Sequence, residues 1–183
     1  MLVAQTGNAD LLQHLLRAGA NVEREDKAGR TALWHAAHSG SLQATAALLD
    51  HGADINHADG SGLTPLAVAS SGGSGMIVSL LLAKGAHVEQ SSKTGDTPLL
   101  LAAAAGQVAV VEQLVAAHAK IDAQNGFGDT ALIVASRAGD LGIVRRLLAA
   151  GASKRLRNND RATATDVAEA RSLPKLVELL QGG

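Results

Sequence analysis

The chain has 183 residues, a formal net charge of −1 and no cysteine, and its 46% hydrophobic content includes only two aromatic residues, Trp34 and Phe127. A near-neutral chain almost devoid of stacking rings lacks the basic, aromatic surface that nucleic acids require, and without cysteine it has no disulfide, thiolate metal site or cysteine nucleophile, which fits a cytoplasmic setting. No stretch approaches the roughly 20 apolar residues of a membrane span, and the opening MLVAQTGNADLLQHLL lacks the basic and apolar regions of a secretory signal.

Alanine and leucine dominate the apolar residues, which suits closely packed helices better than sheets. In chain order, helix starts are predicted at Thr31-Ala32, Thr64-Pro65, Thr97-Pro98, Thr130-Ala131 and Thr163-Ala164, each 33 residues after the last. The threonine hydroxyl can cap the first turn, and proline is tolerated at the first helical position, where its missing N–H is not needed. Gly40, Gly73, Gly106 and Gly139 keep the same step and end these helices, with Gly7 extending the series backwards. A second helix then follows, capped by Ser41, Ser74 or Asp140 and carrying Leu48-Leu49, Leu81-Leu82 or Leu147-Leu148. Gly52, Gly85 and Gly151 suit its left-handed C-terminal turn, and links such as DINHADGSGLT, residues 54 to 64, are rich in the residues of a hairpin-like turn. Pro174 also falls where a helix begins.

A fixed period of this length is the mark of a stacked solenoid. The units TALWHAAHSG…LLDHGADIN, TPLAVASSGG…LLAKGAHVE, TPLLLAAAAG…LVAAHAKID and TALIVASRAG…LLAAGASKR resemble ankyrin repeats. The expected fold is therefore an all-α solenoid of helix–turn–helix units joined by hairpin-like turns. It would have a partial unit at 1–25, full units at 26–58, 59–91, 92–124 and 125–157, and a capping unit at 158–183. Met1 falls nine positions into the repeat, so that the turn and helix start of the first unit are missing and Leu2 and Val3 stand poorly covered; the expectation is a fragment of a longer protein. His118 stands where a glycine is due and is expected to be left-handed, at about 1 kcal/mol of strain. Arg161 replaces a turn glycine, and Thr165-Asp166 replace two apolar residues, as the water-facing end of a stack requires.

What the resemblance implies is a monomeric, non-catalytic module that binds a protein or peptide through its finger-like turns and concave inner helices, with no cofactor. A structural spacer, or a domain docking within a larger protein, is the alternative. Comparison of the units shows which columns vary: Lys27 with Lys93; Leu63, Asp96 and Asp129 with Arg30; Phe127 with small or polar residues; and His38 with Arg137. Such positions, free of packing duty, are where partner specificity can be written. Phe127 and Leu63 are large apolar residues at finger positions, Phe127 serving either as a partner anchor or as a lid folded onto the next turn. Residues 130–183 carry a net +4 against −5 for residues 1–129, and Arg137, Arg157 and Arg171 mark a possible patch for an acidic partner.

An enzyme or metal site finds little support. The histidines 14, 35, 38, 51, 57, 87 and 118 are scattered over different columns, and GGSG at 72–75 lies between two helices with no Lys-Ser/Thr following. In TALWHAAHSG, Trp34 is expected to pack along its helix, His35 to lie half-buried between units, and His38 to face a partner.

Overall fold

A computed structural model describes residues 3–4 and 9–182. Its elements are α1 (Ala9–Arg17), α2 (Ala32–His38), α3 (Leu42–Asp50), α4 (Pro65–Gly72), α5 (Gly75–Ala83), α6 (Pro98–Ala104), α7 (Val108–Ala116), α8 (Ala131–Ala138), α9 (Leu141–Ala149), α10 (Ala164–Ala170) and α11 (Pro174–Gln181). The described residues contain no strand. Met1, Leu2 and Gly7 lie outside them, while Val3 is half-buried against the first apolar cluster.

The elements alternate between two rows. The inner row is α2, α4, α6, α8 and α10, each packed on the next, and every inner helix also packs on the outer helix that follows it. One column explains the close approach: Ala36, Ala69, Ala102, Ala135 and Ala168 are all fully buried, and a methyl group lets neighbouring backbones come together. Leu33, Leu66, Leu99 and Leu132 fill the inner row, and Leu48, Leu81, Leu114, Leu147 and Leu180 fill the outer row. Each such burial contributes about 1.5–3 kcal/mol before chain entropy is set against it.

The caps follow the repeat. Thr31, Thr64, Thr97, Thr130 and Thr163 each accept the backbone N–H three residues on, at 3.1–3.3 Å. Ser41 and Asp140 cap their helices in the same way, whereas Ser74, expected to do so, makes no side-chain cap bond. In the last unit Asp166 returns a bond to the Thr163 N–H at 2.8 Å, completing a reciprocal cap. The polar residue that sequence comparison assigns to a water-facing end thus also fixes the start of α10.

The turns between units are hairpin-like but have a single closing rung. The N–H of Asp26, Asp59, Ser92, Asn125 and Asn158 each donates to the carbonyl four residues on, at 3.0–3.1 Å. Successive fingers are joined by one further bond apiece, from Gly60 to Ala28, Lys93 to Ser61, Gly126 to Thr94 and Asn159 to Phe127, at 2.8–3.0 Å. This ladder accounts for the glycine column at 29, 62, 95 and 128. A Cβ at Gly62 would lie 2.9 Å from the Lys93 nitrogen of the next finger, in a backbone with φ +82°. Arg161 occupies the same column with φ 63° in the last of the five fingers. The column at 19, 52, 85 and 151 has nothing within 4 Å of such a Cβ, so His118, left-handed at φ 62°, carries torsional strain without a clash.

Candidate functional site

Two columns eight residues apart meet on the face of the inner row: one at the base of each finger, the other at the end of the helix that follows it. In the first complete unit they hold Arg30 and His38. Between them stands Trp34, whose ring lies 4.5 Å from the Arg30 guanidinium carbon and 5.0 Å from the His38 ring centroid, stacked at 26°. Trp34 is buried and packs along its helix as expected, and it also props up both of these side chains. Its Nε1 is buried with no hydrogen-bond partner among the described residues. Arg30 is held from behind by Asp59, with Nε 3.6 Å from Oδ2. In front of this stack lies an open hollow of about 300 Å³. Leu63, Val68 and Leu101 supply much of its apolar lining, and Ser71 lines it from the end of α4.

His35 departs from expectation. It is buried outright rather than half-buried, because its Nε2 turns to the base of its own finger and lies 2.9 Å from Asp26 Oδ2. Its ring meets Trp34 edge-on at 76°.

Three units further along the inner row the same two columns hold Asp129 and Arg137. Arg137 donates two hydrogen bonds to the carboxylate, at 2.6 and 2.9 Å, and Asn158 donates a third at 2.9 Å. Asp129 is only 4% exposed, which corrects its reading as a residue free of packing duty. Its carboxylate ties a helix end to a finger base and the next finger. Burial works against its charge, but the hydrogen bonds from Arg137 and Asn158 and the Arg137 charge prevail and hold its pKa below the usual carboxylate range. The same bond raises the pKa of Arg137, against the opposing effect of burial.

The remaining candidates divide in the same way. Lys27 and Lys93 are exposed finger residues. Phe127 is 64% exposed, and its carbonyl joins the ladder. Leu63 packs against the core and lines the hollow, a role its column alone did not reveal. Asp96 is engaged, accepting from Thr94 Oγ1 and Asn125 Nδ2 at 2.7 Å each. Arg157 donates to the Arg161 carbonyl and approaches Asp166 at 3.5 Å. Arg171 is exposed and has no ion pair among the described residues. Two of the three arginines of the basic end are thus bound internally.

Sequence comparison missed Asp59, Val68 and Leu101 as parts of this face, whereas Ser71 belongs to the variable helix-end column of His38 and Arg137. Asp59 could have been found, because it repeats a turn column with Asp26, Asn125 and Asn158; Val68 and Leu101 are ordinary helix positions that only stacking brings together. Among the described residues no cluster of His, Asp or Glu is arranged to hold a metal ion, and no helix is long and apolar enough to cross a membrane.

A family model described as ankyrin repeats (3 copies) matches residues 1–92 and 99–182. A search of curated proteins finds no match.

Proposed function

The chain belongs to the ankyrin repeat family, whose members generally bind other proteins and whose fold is typically non-catalytic, and from that premise we propose that it binds a partner protein or peptide through its finger tips and the concave face of its inner helices. The observation that carries this reading is the hollow beside Arg30, Trp34 and His38, a formed recess at whose rim Arg30 pairs with Asp59 through Nε alone. Lys27, Lys93 and Phe127 extend the same surface along the fingers. The reading includes a monomeric cytoplasmic protein that takes no cofactor and engages neither nucleic acid nor membrane. An acidic partner segment would find Arg171 open at the C-terminal end. The test is capture of a partner from native lysate by the wild-type chain and by a Lys27→Ala, Lys93→Ala, Phe127→Ala variant. Loss of capture at an unchanged melting temperature is expected, and capture at wild-type strength would contradict the reading.

One observation favours docking within a larger assembly. Leu11 and Leu15 of α1 are 46% and 42% exposed, although they share columns with Ile77 and Leu81, which are essentially fully buried. This face continues the inter-unit interface and suits a further helix pair. Leu15→Glu should then disrupt docking while leaving peptide capture intact.

A further inference from the structure

We propose that the hollow beside Arg30, Trp34 and His38 receives an acidic–apolar peptide segment, in which a carboxylate side chain pairs with Arg30 and a neighbouring large apolar side chain seats against Trp34, Leu63 and Val68. The proposal rests on the protein-binding reading above and names the partner chemistry of that site.

The charge around the recess sets the choice. Arg30 is 40% exposed at its side chain, and its terminal guanidinium nitrogens make no hydrogen bond among the described residues. The indole stacked against it and the Asp59 carboxylate behind it fix its orientation, so little side-chain freedom is lost when a carboxylate binds its fork. Asp59 is 2% exposed at its side chain and approaches Arg30 from the Nε side, so it leaves the terminal nitrogens sterically open to an incoming carboxylate. His38 lies on the other part of the same indole and adds a second basic group to the rim. The lining beneath is apolar, which a purely acidic ligand would leave unfilled and a purely apolar ligand would match without using the guanidinium. The corresponding place three units on offers no such site, because Arg137 is already clamped on Asp129.

Trp34, the only tryptophan in the chain, is a built-in reporter. The probe is a randomised twelve-residue peptide library displayed on phage and selected against the full chain, after which the enriched peptides are titrated by Trp34 emission. The expected result is enrichment of Asp or Glu within two residues of Leu, Ile, Phe or Met. Arg30→Gln should weaken binding about tenfold or more, as the loss of a charge-assisted fork would. Ser71→Glu, an exposed change that places a carboxylate at the rim, should weaken it too and serves if Arg30→Gln disturbs the fold. Met76→Ala, on the exposed part of α5, should bind as the wild type does. Enriched peptides without an acidic residue, or binding indifferent to both Arg30→Gln and Ser71→Glu, would overturn the assignment while leaving the broader protein-binding reading to the lysate capture. Failure to enrich any peptide would also overturn it. A twofold solution mass abolished by Arg30→Gln would place a second copy of the chain in the hollow and overturn it likewise.

Discussion

Positions 30 and 38 in the first unit of the inner face, and 129 and 137 in the fourth, are the same two columns three repeats apart, and they have opposite fates. In the first unit two basic side chains rest on an indole, and the guanidinium fork of Arg30 stays open. In the fourth, an anion and a cation satisfy each other across the same gap. The same two columns therefore leave a guanidinium fork open or close a structural clamp, according to whether the finger base carries a basic residue or an acidic one. The residue between them agrees: Trp34 supports side chains above it, whereas Ile133, in the same column, is simply buried core.

Truncating the support should have the largest effect. Trp34→Ala removes a buried aromatic side chain and should cost about 3–5 kcal/mol in urea unfolding, together with the ordered placement of Arg30 and His38. A cost below about 1 kcal/mol would mean that the indole is not the prop described.

Next comes the clamp. Asp129→Ala leaves the Arg137 guanidinium and the Asn158 amide without their acceptor and should destabilise the stack by about 1–3 kcal/mol, with peptide binding at the first unit unchanged. Equal loss of stability and of binding would erase the distinction between the two units.

The clamp also predicts a pH dependence. Asp129 has a folded pKa below its unfolded value, so its contribution is present above the unfolded carboxylate range, near 4, and disappears as the pH falls through the lower folded value. The stability gap between the wild type and Asp129→Asn should accordingly be wide at pH 7, begin to shrink near pH 4 and close only as the pH falls through the lower folded value. A constant gap would remove the charge from the account of this pair.

Smallest is Phe127→Ala, whose exposed ring should change stability by no more than about 0.5 kcal/mol while weakening a finger-bound partner by about 1–3 kcal/mol. A clear fall in melting temperature would return Phe127 to a packing role.

The architecture was largely legible because it is periodic. The Thr, Gly and Leu columns mark where helices start, end and bury their faces, and the helix caps and the left-handed His118 agree with them. The site was only partly legible, because variation between units does not separate a residue free to bind from one that pairs with another variable residue. Asp129 and Arg137 both vary, and they vary into each other. Arg30 and His38 were readable as candidates, but the role of Trp34 beneath them and the walls contributed by Val68 and Leu101 arise only when neighbouring repeats stack. The engagement of Asp96 was hidden for a similar reason, as its partner Asn125 belongs to the following finger.

The most direct test of the contrast between the two units is amide and indole chemical-shift mapping by NMR, with an enriched acidic–apolar peptide added to the labelled full chain. Shifts concentrated at Arg30, the Trp34 indole, His38, Leu63 and Ser71, with Asp129 and Arg137 unmoved, are the predicted result; shifts centred on Asp129 and Arg137, or on the outer helices around Met76, would contradict it.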